Sequence, residues 1–253
     1  QSFDLFVSAM AASRLFCGVF FRIAAPGFSQ GSRHVVQDFS RHVIAFRPQQ
    51  SRSFSSDLHD LLEREWQEEN EAGSSVLPDG LEQLKQQVSQ DWTIIDEEDS
   101  GTVRMFRKDP GSKIAVSFHC QDTLEGYDES PEADTDEEPA PAIRFTVTVS
   151  RAGKTLVLSC LSEEAAAVVE GVDVTMEDAE TIHSSAGGKI EKNLYQGPIF
   201  DELAEDLQDA FHSFVQTDCG IGSDIAAFIS MYADHKEQAQ YLRWLKEVRS
   251  ILP

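Results

Sequence analysis

Seven histidines and four cysteines are the residues of this chain best suited to metal binding or nucleophilic attack, and their spacing decides whether either chemistry is encoded. No H-E-x-x-H occurs and no two histidines stand at ligand spacing. Cys17, Cys120, Cys160 and Cys219 form no C-x-x-C pair. His119 and Cys120 are adjacent, but strand alternation would send them to opposite faces. Cys120 and Cys160 fall in apolar, strand-like runs and are expected as small core residues. Cys219 falls at a helix end, where exposure is expected, and no base stands near it in sequence. His34 and His42 lie in the N-terminal segment. With no motif to join them, His59, His183, His212 and His235 are expected at the surface or on helix edges.

Three apparent motifs fail on detail. Gly188-Lys189 would need a glycine where His183 stands and a Ser or Thr where Ile190 stands to make a phosphate loop. Gly220-Ile221-Gly222 lacks the third glycine and the βαβ setting of a dinucleotide fingerprint. Asp134-Thr135-Asp136 opens like a calcium loop, but Pro139 replaces its turn glycine and no closing Glu follows. The sequence therefore nominates no catalytic residue, no cofactor site and no dedicated metal site, and the expectation is a protein that is not an enzyme.

Charge is the stronger signal. The 21 basic and 44 acidic residues of the 253-residue chain divide as 6 and 2 before Asp57, and as 15 and 42 from Asp57 onward, a net of +4 against −27. A body this acidic repels polyanions and attracts cationic surfaces over a screening length of about 8 Å at physiological salt. Direct nucleic-acid binding is disfavoured and basic proteins are the expected partners. The densest acidity is the segment from Gln121 to Pro141, which holds Asp122, Glu125, Asp128, Glu129, Glu132, Asp134, Asp136, Glu137 and Glu138 with three prolines and no base. That composition predicts a disordered, partner-binding acidic loop. The one local exception is the basic group Arg104, Arg107, Lys108 and Lys113, which sets up an alternative reading as an RNA-associated module.

Residues 1–56 are rich in Arg, Ser, Ala and Phe and nearly free of acid, the composition of a mitochondrial transit peptide, with the mature start expected near Ser55. Arg14 and Arg22 interrupt the apolar stretch from Leu5 to Ala25, well short of the ~20 apolar residues a membrane span requires. The expected organisation is a presequence over 1–56 and one domain over 57–253.

The elements that would position these groups follow from periodicity. Leu58, Leu61, Leu62 and Trp66 recur at helical spacing from Asp57 to Asn70. Leu81 to Ser89 either extends that helical region or leads into a strand at Trp92 to Ile95. The period then drops to two in five runs: Thr102 to Arg107, Lys113 to Cys120, Ile143 to Ser150, Lys154 to Cys160 and Val168 to Met176. Turn residues at Asp109 to Ser112 and Arg151 to Gly153 join them into an antiparallel meander. The stretch from Glu177 to Lys192 reads as a second mobile polar insert. Helical period returns with Phe200, Leu203, Ala204, Leu207, Ala210, Phe211, Phe214 and Val215 on one face, then again from Ser223. Tyr241 and Trp244 fall outside a single stripe on the last helix. They suggest either a subunit interface formed with Leu245, or packing on both the sheet and the first helix.

The order of these elements resembles the mitochondrial acidic matrix protein family, also called the mitochondrial glycoprotein family, whose animal member binds the complement globular head. The resemblance is carried by Ile143 to Val149 with Lys154 to Cys160, by Leu194-Tyr195 leading through Pro198 and Phe200 into Leu203 to Phe214, and by Asp234-His235-Lys236-Glu237-Gln238 followed by Tyr241-Leu242-Arg243-Trp244-Leu245. It implies an α+β fold: a twisted antiparallel sheet of about seven strands, flanked by one N-terminal and two C-terminal helices, in a doughnut-shaped homotrimer. It also implies residence in the mitochondrial matrix and a scaffold or chaperone role toward basic proteins, such as ribosomal proteins and presequences, in translation, ribosome assembly and oxidative phosphorylation. The pattern carries no catalytic residue with it.

Overall fold

The structure, a computed structural model, describes residues 54–73, 76–108, 113–124, 142–163, 165–184 and 195–252. The chain divides into two units, Gln1–Asp57 and Leu58–Pro253. Of the first, only the opening residues of a helix are described, so the expected presequence lies almost wholly outside the described residues. So do the turn at 109–112 and all of the acidic segment beyond Leu124.

Two helices precede the sheet. Helix α1 spans Phe54–Glu71 and α2 spans Asp79–Asp91, which settles the open reading of Leu81 to Ser89 as a separate helix. Leu81 and Val88, seven residues and two turns apart, are its buried contacts. At Trp92 the backbone turns extended and the first strand begins without a loop.

Six described strands form one antiparallel sheet in simple meander order: β1 Trp92–Asp96, β2 Thr102–Arg107, β3 Ile114–Leu124, β4 Ala142–Arg151, β5 Lys154–Glu163 and β6 Ala166–Thr175. Against an expectation of about seven strands, six are found among the described residues. The β4–β5 hairpin turns on Ala152 and Gly153, both at positive φ (53° and 74°), between the paired Arg151 and Lys154. That is the geometry a two-residue hairpin requires and the reason glycine sits there. β3 runs four residues past the expected end at Cys120, through a register shift between Phe118 and Thr123. Gln121 and Asp122 therefore belong to a strand and not to a loop.

Alternation gives the sheet two different faces. One row, Ile94–Met105–Val116–Val147–Leu158–Val172, crosses all six strands and is apolar throughout. This face forms the main core with Phe118, Phe145, Cys160 and Val169. Truncating a fully buried member such as Leu158 to Ala would cost roughly 2–5 kcal/mol. The neighbouring row, Thr93–Phe106–Ala115–Thr148–Val157–Asp173, opens on the other face and mixes hydroxyl, apolar and acidic groups.

The short helix α3, Ala179–Ser184, covers part of that second face. It occupies the region expected to be a mobile insert. Asp178 accepts a hydrogen bond from the Thr181 amide at 2.8 Å and so caps the helix start. Ile182 and His183 are buried, Ile182 together with Val157.

After β6 the chain returns through a 3-10 turn at Phe200–Glu202, helix α4 at Glu205–Ser213 and a wide π turn at Phe214–Asp218. The continuous apolar face expected from Phe200 to Val215 is broken up by this sequence of helix types. Phe200 and Val215 are buried, whereas Ala204, Leu207 and Ala210 face solvent. The Cys219 amide reaches back five residues to the Phe214 carbonyl at 2.9 Å, which turns Cys219 into the core, and Arg107 Nη1 donates to the Asp218 carbonyl at 2.9 Å. Cys219 is therefore buried, not exposed.

The outer side of β6 is met by this returning segment. The Val169 amide donates to His212 Nδ1 at 3.3 Å. Gly197, at φ 71°, passes so close that a β-carbon there would stand 2.2 Å from the Val172 carbonyl oxygen.

Helix α5, Ser223–Ile251, has 29 residues and is about 43 Å long. Ile225, Phe228 and Ile229 join the main core. Ser162 Oγ donates to the Ala226 carbonyl at 2.6 Å. Farther along, Asp96 accepts from Tyr232 Oη at 2.7 Å and from Lys236 Nζ at 2.5 Å, and Lys236 also donates to the Glu97 carbonyl. The buried ammonium is thus paired and hydrogen-bonded, as burial of a charge demands. None of the described helices is long and apolar enough to cross a membrane.

Candidate functional site on the acidic surfaces

Of the nine acids expected to form a partner-binding loop, only Asp122 is described, half-buried on β3. Glu125, Asp128, Glu129, Glu132, Asp134, Asp136, Glu137 and Glu138 lie outside the described residues. A second acidic surface lies wholly within the described residues. Asp201, Glu202, Glu205, Asp206, Asp209 and Asp218 are all exposed on the 3-10 turn, α4 and the π turn, and no Lys or Arg occurs from Asn193 to His235. The sequence marks these acids as the polar face of an amphipathic helix. What turns them into a surface is the break in helix type, which exposes nearly the whole circumference of α4, with only Gln208, Phe211 and His212 half-buried. Such carboxylates, spaced by one helical turn and fully hydrated, can meet lysine and arginine side chains at modest energy per pair, well under about 1 kcal/mol each. Affinity then comes from number and from long-range steering.

The expected basic patch is not assembled as a nucleic-acid surface. Arg104 pairs with Glu97 at 2.7 Å and Arg107 is drawn under the Asp218 carbonyl. Lys108 donates to the Ser89 carbonyl at 2.5 Å, and Lys113 is exposed.

The residues expected at a subunit interface separate into three environments. Leu245 is only 2% exposed and is consumed by packing within the chain, which corrects its assignment to an interface. A helix advances about 100° per residue, so Trp244 turns away from that packing and is 52% exposed. Tyr241 stacks on Trp244, with ring centroids 6.1 Å apart, and donates to Glu65 of α1 at 3.1 Å. Burial, together with the contact to Glu65, raises the Tyr241 pKa to about 12. Further contacts bind α1 to α5: Gln238 to Glu69, Arg249 to Glu63, and Lys246 over the Trp66 ring at 4.8 Å. Packing of α5 on both the sheet and α1 accounts for its several apolar sides. Leu58 and Leu61 of α1 nevertheless remain 44% and 49% exposed, whereas Leu62 is buried.

Cys120 and Cys160 are core residues as expected, whereas His183 and Cys219 are more buried than the sequence suggests. His183 is buried on the second sheet face, 2.7 Å from both Ser117 Oγ and Thr148 Oγ1, with the Phe106 ring edge-on to it. Burial, with the nearby Arg104 charge, lowers its pKa to about 4. A serine hydroxyl beside an imidazole is the beginning of a nucleophile–base pair. Here, however, the second ring nitrogen meets a threonine and not an orienting carboxylate, and α3 seals the group from solvent. Burial raises the Cys120 thiol to about 11 and Cys219 to about 12, and raises Cys160 as well, so all three are poor nucleophiles. On α5, burial raises the carboxyl group of the half-buried Glu237, and the charge of Asp234 raises it further.

Comparison with known proteins agrees with this geometry. The mitochondrial acidic protein mam33 of Schizosaccharomyces pombe is 29% identical over 153 residues, which cover 56% of this chain and 54% of that protein. The match thus spans about half the length of that relative. Among solved structures, a hypothetical protein from Leishmania major, described as a sequence homologue of human p32, superposes with a TM-score of 0.56 at 18% identity, covering 79% of this chain and all of the other. The p22 protein of Trypanosoma brucei gives 0.56 at 22% identity over 79% of this chain and 98% of its own. At those identities the likeness concerns the fold: an α+β unit with an antiparallel sheet and packed helices. The model of the mitochondrial glycoprotein family matches residues 62–252, from the middle of α1 to the end of α5, and the chain belongs to that family.

Proposed function

We propose that this protein is an acidic scaffold or chaperone of the mitochondrial matrix, imported by a presequence over residues 1–56. In this reading it binds basic proteins, ribosomal proteins and presequences among them, and through them supports mitochondrial translation, ribosome assembly and oxidative phosphorylation. The observation that carries this is the −27 charge from Asp57 onward, concentrated in the acidic segment from Gln121 to Pro141 and on the exposed carboxylates of α4. Membership of a mitochondrial family supports the compartment. The working form in this reading is a homotrimer, for which the exposed Leu58, Leu61 and Trp244 supply apolar area that a single chain leaves uncovered.

The test is capture of purified basic ribosomal proteins and of a presequence peptide at rising salt. Binding that weakens steeply with salt, and that drops when Asp201, Glu202, Glu205, Asp206 and Asp209 are changed to their amides, is expected. Salt-indifferent binding, or none, refutes the scaffold reading. Native mass spectrometry should give three chains per particle, and a monomer at micromolar concentration would refute the trimer.

A further inference from the structure

Where α2 hands over to β1, a cleft of about 490 Å³ is lined by Lys85, Ser89 and Trp92 from the helix and its junction, by Thr93, Ile94 and Asp96 from the strand, and by Lys108 at the end of β2. That volume falls within the range of small-molecule sites, about 300–1,000 Å³. Arg64, Arg104, Arg144, Lys236, Arg243 and Arg249 each pair with a carboxylate. Lys85 instead donates to the Tyr232 hydroxyl at 3.1 Å and lies over that ring, and Lys108 donates to the Ser89 carbonyl at 2.5 Å. Both acceptors are neutral, and each ammonium has three donors. The one carboxylate that lines the cleft, Asp96, has its two oxygens held by Tyr232 and Lys236. Two positive charges therefore face a recess with a partly apolar floor, in a body that is otherwise strongly negative.

We propose that this cleft binds a small anion, a phosphate- or carboxylate-bearing metabolite, with Lys85 and Lys108 as its charge partners and Trp92 and Ile94 as its apolar wall. The site shares no residue with the acidic surfaces and stands or falls independently of the proposed function. Excess acid elsewhere opposes the approach of an anion, but over only about 8 Å at physiological salt. Inside the cleft the two ammonium groups dominate. A charge-assisted hydrogen bond from each accounts for about tenfold or more in affinity.

The experiment is isothermal titration of the full chain with pyrophosphate, ADP and citrate. At least one should bind saturably with one site per chain, and which of them does so separates phosphate from carboxylate chemistry. Lys85→Gln and Lys108→Gln should each weaken binding by about tenfold. Lys154→Gln, at an exposed position on β5, should bind as the parent does. Unchanged thermal unfolding of each variant keeps the comparison valid. No binding of any probe at millimolar concentration, binding retained in both lysine variants, or equal weakening by Lys154→Gln overturns the proposal.

Discussion

His183 makes stability depend on pH in a calculable way. Its ring is 3% exposed and lies between two hydroxyls under α3, and burial lowers its pKa from 6.5 to about 4. The unfolded chain therefore takes up a proton near pH 6.5 that the folded chain refuses until about pH 4. Stability from this group is complete above 6.5 and is lost as pH falls through that window. One pKa unit corresponds to 1.36 kcal/mol. The loss is then about 1 kcal/mol at pH 5.5 and roughly 3 kcal/mol near pH 4. Lowering pH also neutralises carboxylates and relieves self-repulsion, an opposite effect of the whole surface. The informative quantity is the difference between the parent chain and His183→Gln, measured by urea unfolding at pH 7.5 and 5.5, both clear of the isoelectric point near 4.5. The parent should lose about 1 kcal/mol more than the variant between those two values. Parallel pH dependences would show that His183 is solvated or already charged in the folded state, and the account of the second sheet face would fail.

Other expectations follow from single contacts. Gly220 has φ 70°, and a β-carbon there would stand 3.0 Å from Arg107 Nη1, so Gly220→Ala should lower stability by about 1–3 kcal/mol in chemical denaturation. Arg107→Ala frees the Asp218 carbonyl and should cost about 1–3 kcal/mol in the same assay. Removing the Lys236 ammonium by substitution with Met leaves Asp96 with a single donor and should cost several kcal/mol, of the order of 3, read as a fall in the thermal midpoint. Iodoacetamide at pH 8 should leave Cys120, Cys160 and Cys219 unmodified in the folded chain and alkylate all three in denaturant, as peptide mass spectrometry would report.

The legible parts of this fold were those in which local pattern and tertiary demand coincide. Short runs rich in Val, Leu, Phe and Thr mark β2, β4 and β5, and the Arg151–Lys154 turn carries the glycine its geometry needs, so those strands can be read from sequence to within a few residues. The misread parts depend on contacts between distant residues. Ala179–Ser184 is short and polar, with little helical signal of its own, and it is fixed because His183 finds Ser117 and Thr148 on strands far away in sequence. Cys219 is buried by a five-residue backbone reach that no side-chain period encodes. Leu245 and Trp244 are neighbours in sequence, and only the position of α1 and the sheet decides which of them is covered. Among site residues, the acids of α4 were visible as a polar face, but their exposure as a continuous surface required the interruption of the helix on both sides.

The contacts along the outer side of β6 limit how this protein can meet others. An edge strand ordinarily offers a row of free amides and carbonyls to any extended segment that passes. Here the Val169 amide is occupied by an imidazole and the Val172 carbonyl is shielded by Gly197, so no long ladder can be added without first peeling away the return segment. In the proposed scaffold role, association at this side would then run through side chains. Lysines and arginines would be met by carboxylates at many alternative spacings, without a fixed backbone register. Recognition of that kind tolerates variation in the partner's sequence while remaining sensitive to its charge.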